Sequence, residues 1–254
     1  MNHSTGAPRA MLLAAGRGER MRPLTDHTPK PLLPVRGKPL IEWLLLALAR
    51  DGVREVLINT AWLEDQFPAT LGDGSRFGLH IEYSAEGRDH GGALETAGGI
   101  AKALPWLTRG GQRHFWVASA DIHAPQFRFD ADLATRFGAS GLLAHLWLVP
   151  NPPFHPTGDF GLGGPGELPA LGPQAHHALG AQAGADGKRW TYANIALMDQ
   201  ALCETLAPGT RAPLAPLLFA GMDQRRISGE VYTGRWDNVG TPAQLAALQT
   251  QDDP

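Results

Sequence analysis

A loop that combines glycines with basic side chains follows the first apolar segment of the chain. Residues 10–14 (AMLLA) are typical of a short buried strand. The loop after them contains two glycines and four basic side chains: Gly16, Gly18, Arg17, Arg20, Arg22 and Lys30. Glycine lets backbone N–H groups approach a phosphate closely, and arginine and lysine neutralise its charge. Because open α/β sheets bind ligands at the carboxyl ends of their strands, this pattern predicts a nucleotide-phosphate site.

The spacing of this loop differs from the two commonest nucleotide-binding loops. A Walker A loop requires G-x-x-x-x-G-K-[ST], which residues 16–30 do not fit. A dinucleotide-binding loop requires a third glycine three residues after Gly18, where this chain has Met21. A dehydrogenase is therefore disfavoured.

The following segments alternate between strand and helix patterns. An apolar helical pattern lies between Pro39 and Gly52, and another helix pattern ends at Leu71. Residues 53–59 and 79–84 read as strands, so the order is β-α-β-α-β, which predicts a parallel sheet with right-handed crossovers. Further segments predict helices at 93–104, 201–207 and 210–222, and strands at 114–121, 142–148, 190–198 and 225–232.

Asp121 is the acidic residue at the end of a buried strand pattern. The segment HFWVASAD ends on it, so its carboxylate is expected at the same sheet edge as the glycine-rich loop. No convincing covalent nucleophile or catalytic base accompanies these groups. A reaction that depends on charge neutralisation and alignment of phosphates is therefore favoured.

Composition limits the class of protein. A chain of 254 residues is long enough for one large α/β domain, and a net charge of −3 argues against nucleic-acid or anionic-membrane partners. The single cysteine, Cys203, excludes an internal disulfide framework and is expected to be a small buried residue in a helix. Residues 1–9 are polar and are expected to form a disordered leader, and no apolar run is long enough to span a bilayer, so a cytoplasmic location is expected.

The segment 10–34 resembles the signature of the sugar-1-phosphate nucleotidyltransferases, also called sugar-nucleotide pyrophosphorylases. The matching positions are Leu13, Ala14, Ala15, Gly16, Gly18, Glu19, Arg20, Pro23, Leu24, Thr25, Pro29, Lys30, Pro31, Leu32, Leu33 and Pro34. The resemblance implies an α/β, Rossmann-like three-layer fold with a mixed, mostly parallel central sheet. It also implies transfer of a nucleotidyl group from a nucleoside triphosphate to a sugar 1-phosphate, with release of pyrophosphate.

The resemblance assigns roles to residues in four groups. Arg20, Lys30 and Asp121 are expected to be catalytic. The expected nucleotide-binding residues are Leu13, Ala14, Ala15, Gly16, Gly18, Glu19, Arg20, Lys30, Glu95 and Gly98, the last two from the family-like segment LETAGG at 94–99. Asp159, in the segment GDFGL, and Asn194 are expected on the sugar side. Mg²⁺ is the expected cofactor, held by Asp121 and Asn238.

Two positions depart from the family pattern. Residues 88–92 (RDHGG) form an insertion next to the expected base site, which leaves the choice of base open. The closing segment GRWDNVGT places Asn238 where the family has a metal-binding aspartate, with Asp237 one residue earlier. An asparagine carbonyl can bind magnesium without contributing charge, and either residue could serve the metal.

The resemblance implies one nucleotidyltransferase domain over residues 10–250. Its expected parts are a nucleotide-binding part (10–148), a sugar-binding part (149–235), and a closing metal motif with a helix (236–250). Segments such as HTPKPL, LGDGSRFG and LETAGG are similar to the branch of the family that uses UTP and N-acetylmuramate 1-phosphate. The alternatives are a mannose-1-phosphate guanylyltransferase, a glucose-1-phosphate thymidylyltransferase and a nucleotide-sugar-binding regulatory protein. The protein is expected to be a monomer or a small homo-oligomer.

Overall fold

A computed structural model of the protein describes residues 7–165, 171, 177–184 and 186–250. The strands are β1 (Ala10–Leu13), β2 (Pro34–Val35), β3 (Lys38–Pro39), β4 (Glu55–Thr60), β5 (His80–Ala85), β6 (His114–Ser119), β7 (Ile122–His123), β8 (Ala144–Val149), β9 (Gly161–Pro165), β10 (His177–Gly180), β11 (Thr191–Asp199), β12 (Ile227–Val231) and β13 (Asp237–Asn238). The helices are α1 (Leu40–Arg50), α2 (Gln66–Leu71), α3 (Glu86–His90), α4 (Glu95–Leu107), α5 (Ala131–Ser140), α6 (Ala215–Asp223) and α7 (Pro242–Thr250).

In the described residues, nine strands form one mixed sheet in the order β5-β4-β1-β6-β11-β8-β12-β10-β9. Strands β5, β4, β1 and β6 pair in parallel, and so do β8 and β12. Strand β11 is antiparallel to β6 and β8, and β10 is antiparallel to β12 and β9. Seven of these nine strands therefore point the same way, which confirms the mixed, mostly parallel sheet.

Helices cover both faces of the sheet. Along β1 the side chains alternate: Leu12 belongs to one buried apolar cluster, and Met11 belongs to the other. The first cluster contains residues of α1, α2 and α5, and the second contains residues of α4 and α6. A sheet between two helical layers is the predicted three-layer α/β fold.

The closing segment returns to the glycine-rich loop at the start of the chain. Strand β13 pairs with β7, and the Val239 N–H donates to the Asp121 carbonyl at 2.9 Å. A third apolar cluster joins α7 to the loop after β1, with the buried members Met21, Leu33, Val35, Leu40, Val239, Leu245 and Leu248. Burial of these side chains fixes the end of the chain beside its beginning.

Three expectations need correction. Cys203 is buried, but it follows a short 3₁₀ turn (Gln200–Leu202) rather than lying in a helix, and burial raises the pKa of its thiol to about 12. The insertion at 88–92 is not an open loop, because its first half forms the last turn of α3. Residues 1–6 lie outside the described residues, but Arg9, predicted to be disordered, pairs with Glu55 at 2.8 Å. Across the described chain, no helix is both long and apolar enough for a membrane span.

Candidate active site

Two cavities lie next to each other at the carboxyl edge of the sheet. The first has a volume of about 360 Å³ and is lined by Leu13, Ala14, Ala15, Gly16, Lys30, Pro31, Asn59, Ala93, Glu95, Thr96, Ser119 and Asp121. The second, of about 550 Å³, extends across β11 towards the loop after β8. Both cavities share Leu13, Glu95, Thr96, Ser119 and Asp121. We call the two together the cleft, since these shared residues make it continuous.

Lys30 and Asp121 form an ion pair at the junction of the two cavities. Lys30 Nζ donates to Asp121 Oδ2 at 2.5 Å, and both side chains are largely buried. Asp121 lies just past β6, and the Ala120 N–H extends the sheet by donating to the Leu13 carbonyl at 3.0 Å. The pair therefore has fixed positions, with an ammonium group in the lining of the first cavity.

A buried polar chain holds the edge of the first cavity. Ala14 donates its backbone N–H to Asn59 Oδ1 at 2.9 Å, and Asn59 Nδ2 donates to Glu86 Oε1 at 2.8 Å. The other carboxylate oxygen, Glu86 Oε2, accepts from the Leu94 N–H at 2.8 Å. Since Asn59 and Glu86 are almost fully buried, this chain ties the loop after β1 rigidly to the start of α4.

The adjacent glycines of α4 have structural explanations. A Cβ atom on Gly98 would lie 2.2 Å from the Thr210 carbonyl oxygen and 3.2 Å from the Ala212 N atom. A Cβ atom on Gly99 would lie 2.6 Å from Glu86 Oε1. Gly98 was expected to bind the nucleotide, but within the described residues it does not line the cleft, and the backbone near Thr210 occupies the space beside it.

Two other expected nucleotide-binding residues also lie outside the cleft lining in the described part of the chain: Gly18 and Glu19. Gly18 has the left-handed φ of +71°, and its carbonyl accepts from Thr25 Oγ1 at 2.9 Å, so it shapes the loop. The exposed Glu19 carboxylate lies 3.7 Å from Arg17 and 3.8 Å from Arg22. Both residues contribute to the shape of the loop, and a contact of either with the nucleotide stays a prediction.

Of the remaining basic residues of this loop, Arg17 is bound within the protein, whereas Arg20 has no ion-pair partner among the described residues. Arg17 donates to the Thr25 carbonyl at 2.8 Å and stacks over the Trp62 ring, 3.6 Å from its centroid. Arg20 lines the second cavity and, among the described residues, makes no ion pair. An exposed guanidinium without a carboxylate partner is available to an anionic ligand.

The closing motif presents Asn238 rather than Asp237 to this end of the cleft. A Cβ atom placed on Gly240 would lie 3.4 Å from Asn238 Oδ1 and 3.3 Å from Arg20 Nη2, so both groups are close to Gly240. Asp237 is the neighbour of His123 Nδ1 at 3.9 Å and of Arg235 Nε at 3.2 Å, and these groups hold the pKa of its carboxyl below its usual value. Successive strand residues point to opposite faces, which explains why only Asn238 lines the second cavity.

The donors at this end of the cleft fit a hard cation. Asp121 supplies a carboxylate and Asn238 an amide oxygen, both of which suit magnesium when phosphate oxygens complete its coordination. No group of three or more histidine, cysteine or acidic side chains suitable for a metal occurs among the described residues. The chemistry of the pair therefore fits a cation that is shared with phosphates, rather than one held by protein ligands alone.

Comparison with known proteins gives a consistent result over nearly the whole chain. A family model described as Nucleotidyl transferase matches residues 9–141. The chain is 44% identical over 248 residues to the N-acetylmuramate alpha-1-phosphate uridylyltransferase of Neisseria meningitidis, covering 95% of this chain and 96% of that protein.

The chain belongs to the nucleotidyltransferase family.

Other nucleotidyltransferases share shorter segments or the fold alone. The UTP–glucose-1-phosphate uridylyltransferase of Synechocystis is 41% identical over 99 residues, which are 37% of this chain and 26% of that protein. Among solved structures, the UTP-bound UGPase of Acinetobacter baumannii aligns with a TM-score of 0.68 at 15% identity, covering 96% of this chain and 92% of that chain. At this identity the likeness supports the fold, and it agrees with the Rossmann-like architecture.

Two residues of this nucleotidyltransferase that line the second cavity have left-handed backbone conformations. Glu95, the first residue of α4, has a φ of +63°, and Asn194 has a φ of +58°. Asn194 lies where the register between β11 and β8 shifts, between Tyr192 and Ala196. Such a bulge redirects a side chain, and asparagine tolerates this conformation better than most residues. The expected sugar-side residue Asn194 is therefore placed in the lining by a local irregularity of its strand.

The other expected sugar-side residue, Asp159, also lines the second cavity. Residues of this cavity that the sequence did not single out are aromatic or apolar for the most part: Phe154, Phe160, Tyr192, Pro213, Leu214, Leu218 and Trp236. Ser119 and Thr96 were also missed, although each lies close in sequence to a predicted site residue. The signal for Thr96 was its place in the family-like segment LETAGG at 94–99, whereas Ser119 had only its proximity to Asp121.

Proposed function

We propose that the protein transfers a uridylyl group from UTP to N-acetylmuramate 1-phosphate, with release of pyrophosphate. The observation that carries this proposal is the 44% identity to the Neisseria uridylyltransferase over 95% of the chain. The continuous cleft supports it independently, because a reaction between two substrates requires two adjacent sites with a common boundary.

In this proposal the triphosphate occupies the first cavity. The backbone at residues 14–16 faces the phosphates, and Arg20 neutralises charge from the adjoining cavity. Asn59 and Glu86 act indirectly by fixing the Ala14 N–H. A loop held in this way can align a triphosphate without a large ordering cost.

Lys30 and Asp121 lie where the two substrates would meet. A phosphate oxygen of the sugar 1-phosphate forms a bond to the α-phosphorus of UTP, and the bond to the β-phosphate breaks. Lys30 stabilises the negative charge that is spread over the phosphate oxygens, and its pairing with Asp121 keeps the ammonium group in position. Asp121 and Asn238 would hold Mg²⁺, which supplies further positive charge at these oxygens.

The substrate assignment is tested by measuring pyrophosphate release with magnesium. Five triphosphates (UTP, dTTP, GTP, CTP and ATP) are each paired with the 1-phosphates of N-acetylmuramate, N-acetylglucosamine, glucose and mannose. The proposal predicts the highest specificity constant for UTP with N-acetylmuramate 1-phosphate. Preference for mannose 1-phosphate with GTP, or for glucose 1-phosphate with dTTP, would replace it by the corresponding transferase. Triphosphate binding without release from any pair would instead support a regulatory role.

The catalytic assignment is tested with Lys30→Ala. Loss of one charged donor at the reacting phosphates should lower kcat about 100- to 1,000-fold. The dissociation constant of UTP, measured by calorimetry, should change far less, because the backbone and Arg20 also contact the triphosphate. Lys38→Ala is the matched control, since Lys38 lies over the Trp43 ring and outside the cleft lining. Equal losses in affinity and turnover would contradict a role for Lys30 in the chemical step.

A further inference from the structure

The second cavity contains an ordered histidine that the reaction described above does not use. Arg20 and His155 are the basic side chains that line it in the described part of the chain. Arg20 belongs to the glycine-rich loop after β1, whereas His155 lies on the loop after β8. His155 is therefore the basic side chain of the proposed sugar side.

An aspartate fixes the orientation of this histidine. His155 Nε2 lies 3.0 Å from Asp159 Oδ1, and Asp159 Oδ2 accepts from the Tyr192 N–H at 2.8 Å. An ionised carboxylate only accepts hydrogen bonds, so Nε2 must carry the proton of this contact. Each oxygen of Asp159 already has a partner within the chain. Asp159 is thus better placed to position His155 than to bind the sugar itself.

Hydrogen bonds of Asn151 tie the loop that carries His155 to the start of β11. Asn151 Nδ2 donates to the carbonyls of Pro156 at 3.1 Å and Arg189 at 3.0 Å, while Asn151 Oδ1 accepts from Thr191 Oγ1 at 2.9 Å. A Cβ on Gly158, which has a φ of +62°, would lie 2.7 Å from Asn151 Oδ1. The ring of His155 is therefore positioned before a ligand binds.

Among the described residues, none of the carboxylates that line the cavity is left unpaired to repel an additional anion. Each contacts a basic side chain: Glu95 contacts Arg211, Asp121 contacts Lys30, and Asp159 contacts His155. The Tyr192 hydroxyl is kept neutral because burial raises its pKa, and the Arg189 guanidinium donates to the Asp159 carbonyl. In the described part of the chain, the imidazole ring of His155 has Asp159 as its hydrogen-bond partner, whereas its backbone N–H donates to the Pro152 carbonyl at 2.9 Å. Its Nδ1 atom is thus the donor that protonation adds.

We infer that His155 is a specificity-determining residue, whose imidazolium form binds a carboxylate carried by the sugar 1-phosphate. This inference rests on the proposed function and deepens it, since N-acetylmuramate differs from N-acetylglucosamine by a lactyl ether that ends in a carboxylate. Asp159 is the positioning residue, which orients the ring and stabilises its positive charge. A neutral hexosamine 1-phosphate gains nothing from this contact.

The first test uses the wild-type enzyme and compares the two hexosamine 1-phosphates with UTP between about pH 5.5 and 8.5. The readout is the ratio of the KM for N-acetylmuramate 1-phosphate to the KM for N-acetylglucosamine 1-phosphate. This ratio cancels pH effects on the phosphate group and on UTP, which are common to both sugar substrates. It should rise about tenfold as His155 loses its proton, because a charge-assisted hydrogen bond is lost.

Two variants locate the effect. His155→Gln removes the charge, so it should raise the KM ratio about tenfold at low pH and abolish its pH dependence. Asp159→Asn should raise the KM ratio at low pH, since the ring loses the carboxylate that orients it. The matched control is His80→Gln, because His80 forms a similar contact with Glu82 at 3.3 Å on an exposed strand. This control should leave the ratio and its pH dependence as in the wild type.

The outcomes separate this inference from the proposed function. Turnover of N-acetylmuramate 1-phosphate with a pH-independent ratio would refute the role of His155 and leave the proposed reaction intact. An equal effect of His155→Gln on the KM of both sugar 1-phosphates would likewise refute the role of His155 and leave the proposed reaction intact. Absence of turnover with N-acetylmuramate 1-phosphate would overturn both. The wild-type ratio decides the question even if a variant does not fold.

Discussion

Replacing Asn59 by aspartate exchanges one NH₂ group for an oxygen within the buried polar chain. In the wild type, Asn59 Nδ2 donates to Glu86 Oε1 at 2.8 Å, and Asn59 Oδ1 accepts from Ala14. In Asn59→Asp the second contact remains, but two carboxylate oxygens would face each other at the first. Since both side chains are buried, the folded variant can restore the contact only by binding a proton.

The free energy needed to bind that proton sets the size of the expected loss in stability. An aspartate with an unfolded-state pKa of about 3.9 requires about 1.4 kcal/mol for each pH unit above that value. Asn59→Asp should therefore lower the free energy of unfolding by up to about 5 kcal/mol at pH 7.5 and by about 2 kcal/mol at pH 5.5. The sign follows from the raised pKa in the folded state: relative to the wild type, stability is lost as the pH rises.

Urea unfolding of both proteins at pH 7.5, 6.5 and 5.5 measures this penalty directly. Asn59→Ala is the control, because it removes the hydrogen bonds without adding a titratable group, so its penalty should vary less with pH than that of Asn59→Asp. A penalty for Asn59→Asp that is constant with pH, or below about 1 kcal/mol at pH 7.5, would refute the reasoning.

Two further predictions concern stability. Gly98→Ala should lower the free energy of unfolding by about 2 kcal/mol, because its Cβ would lie 2.2 Å from the Thr210 carbonyl oxygen. This loss is expected although alanine favours helices more than glycine does. Gly92→Ala is the control in the same urea assay and should be nearly neutral, since its Cβ would meet no atom within 4 Å. Burial raises the pKa of Asp51, but the contacts of its carboxylate, led by the hydrogen bond from Arg50, lower this pKa overall. The carboxylate therefore stabilises the fold above its unfolded-state pKa, and this contribution decreases as the pH falls. Asp51→Asn should therefore cost about 1 kcal/mol at pH 7 and less at pH 3, and an equal cost at both pH values in thermal unfolding would contradict this assignment.

The sheet and the centre of the site could be predicted because their signals are local and redundant. The apolar segments of β1, β4, β5 and β6 each have the length of a buried strand, and their alternation with helices determines their direction. Asp121 follows directly from this order, because the end of a parallel strand fixes the edge on which its next residue lies. The fixed spacing between the glycines and Lys30 added a second, independent signal.

The expectations for Gly98 and Glu19 stay predictions, because each of these residues also has a structural explanation at its position. Gly98 was interpreted as a contact to a ligand, but the close approach comes from the backbone 112 positions later in the chain, at Thr210. Similarly, Glu19 fits the motif, yet neighbouring arginines pair with its carboxylate. Asn59 and Glu86 were not singled out, because an asparagine and a glutamate at strand ends show their partnership only after the strands are aligned.

The position of β11 has a consequence for synthesis of the chain. This strand lies between β6 and β8, although it follows both of them in sequence, and β13 pairs with β7 only after residue 237 is available. Strands β1, β4, β5 and β6 can align while the chain is emerging from the ribosome, since domains generally fold from the N-terminal side. Asn238, by contrast, joins Asp121 only when the closing segment has emerged. The cleft is therefore completed only after residue 238 has emerged, and a shorter nascent chain carries a nucleotide loop without the residues that close it.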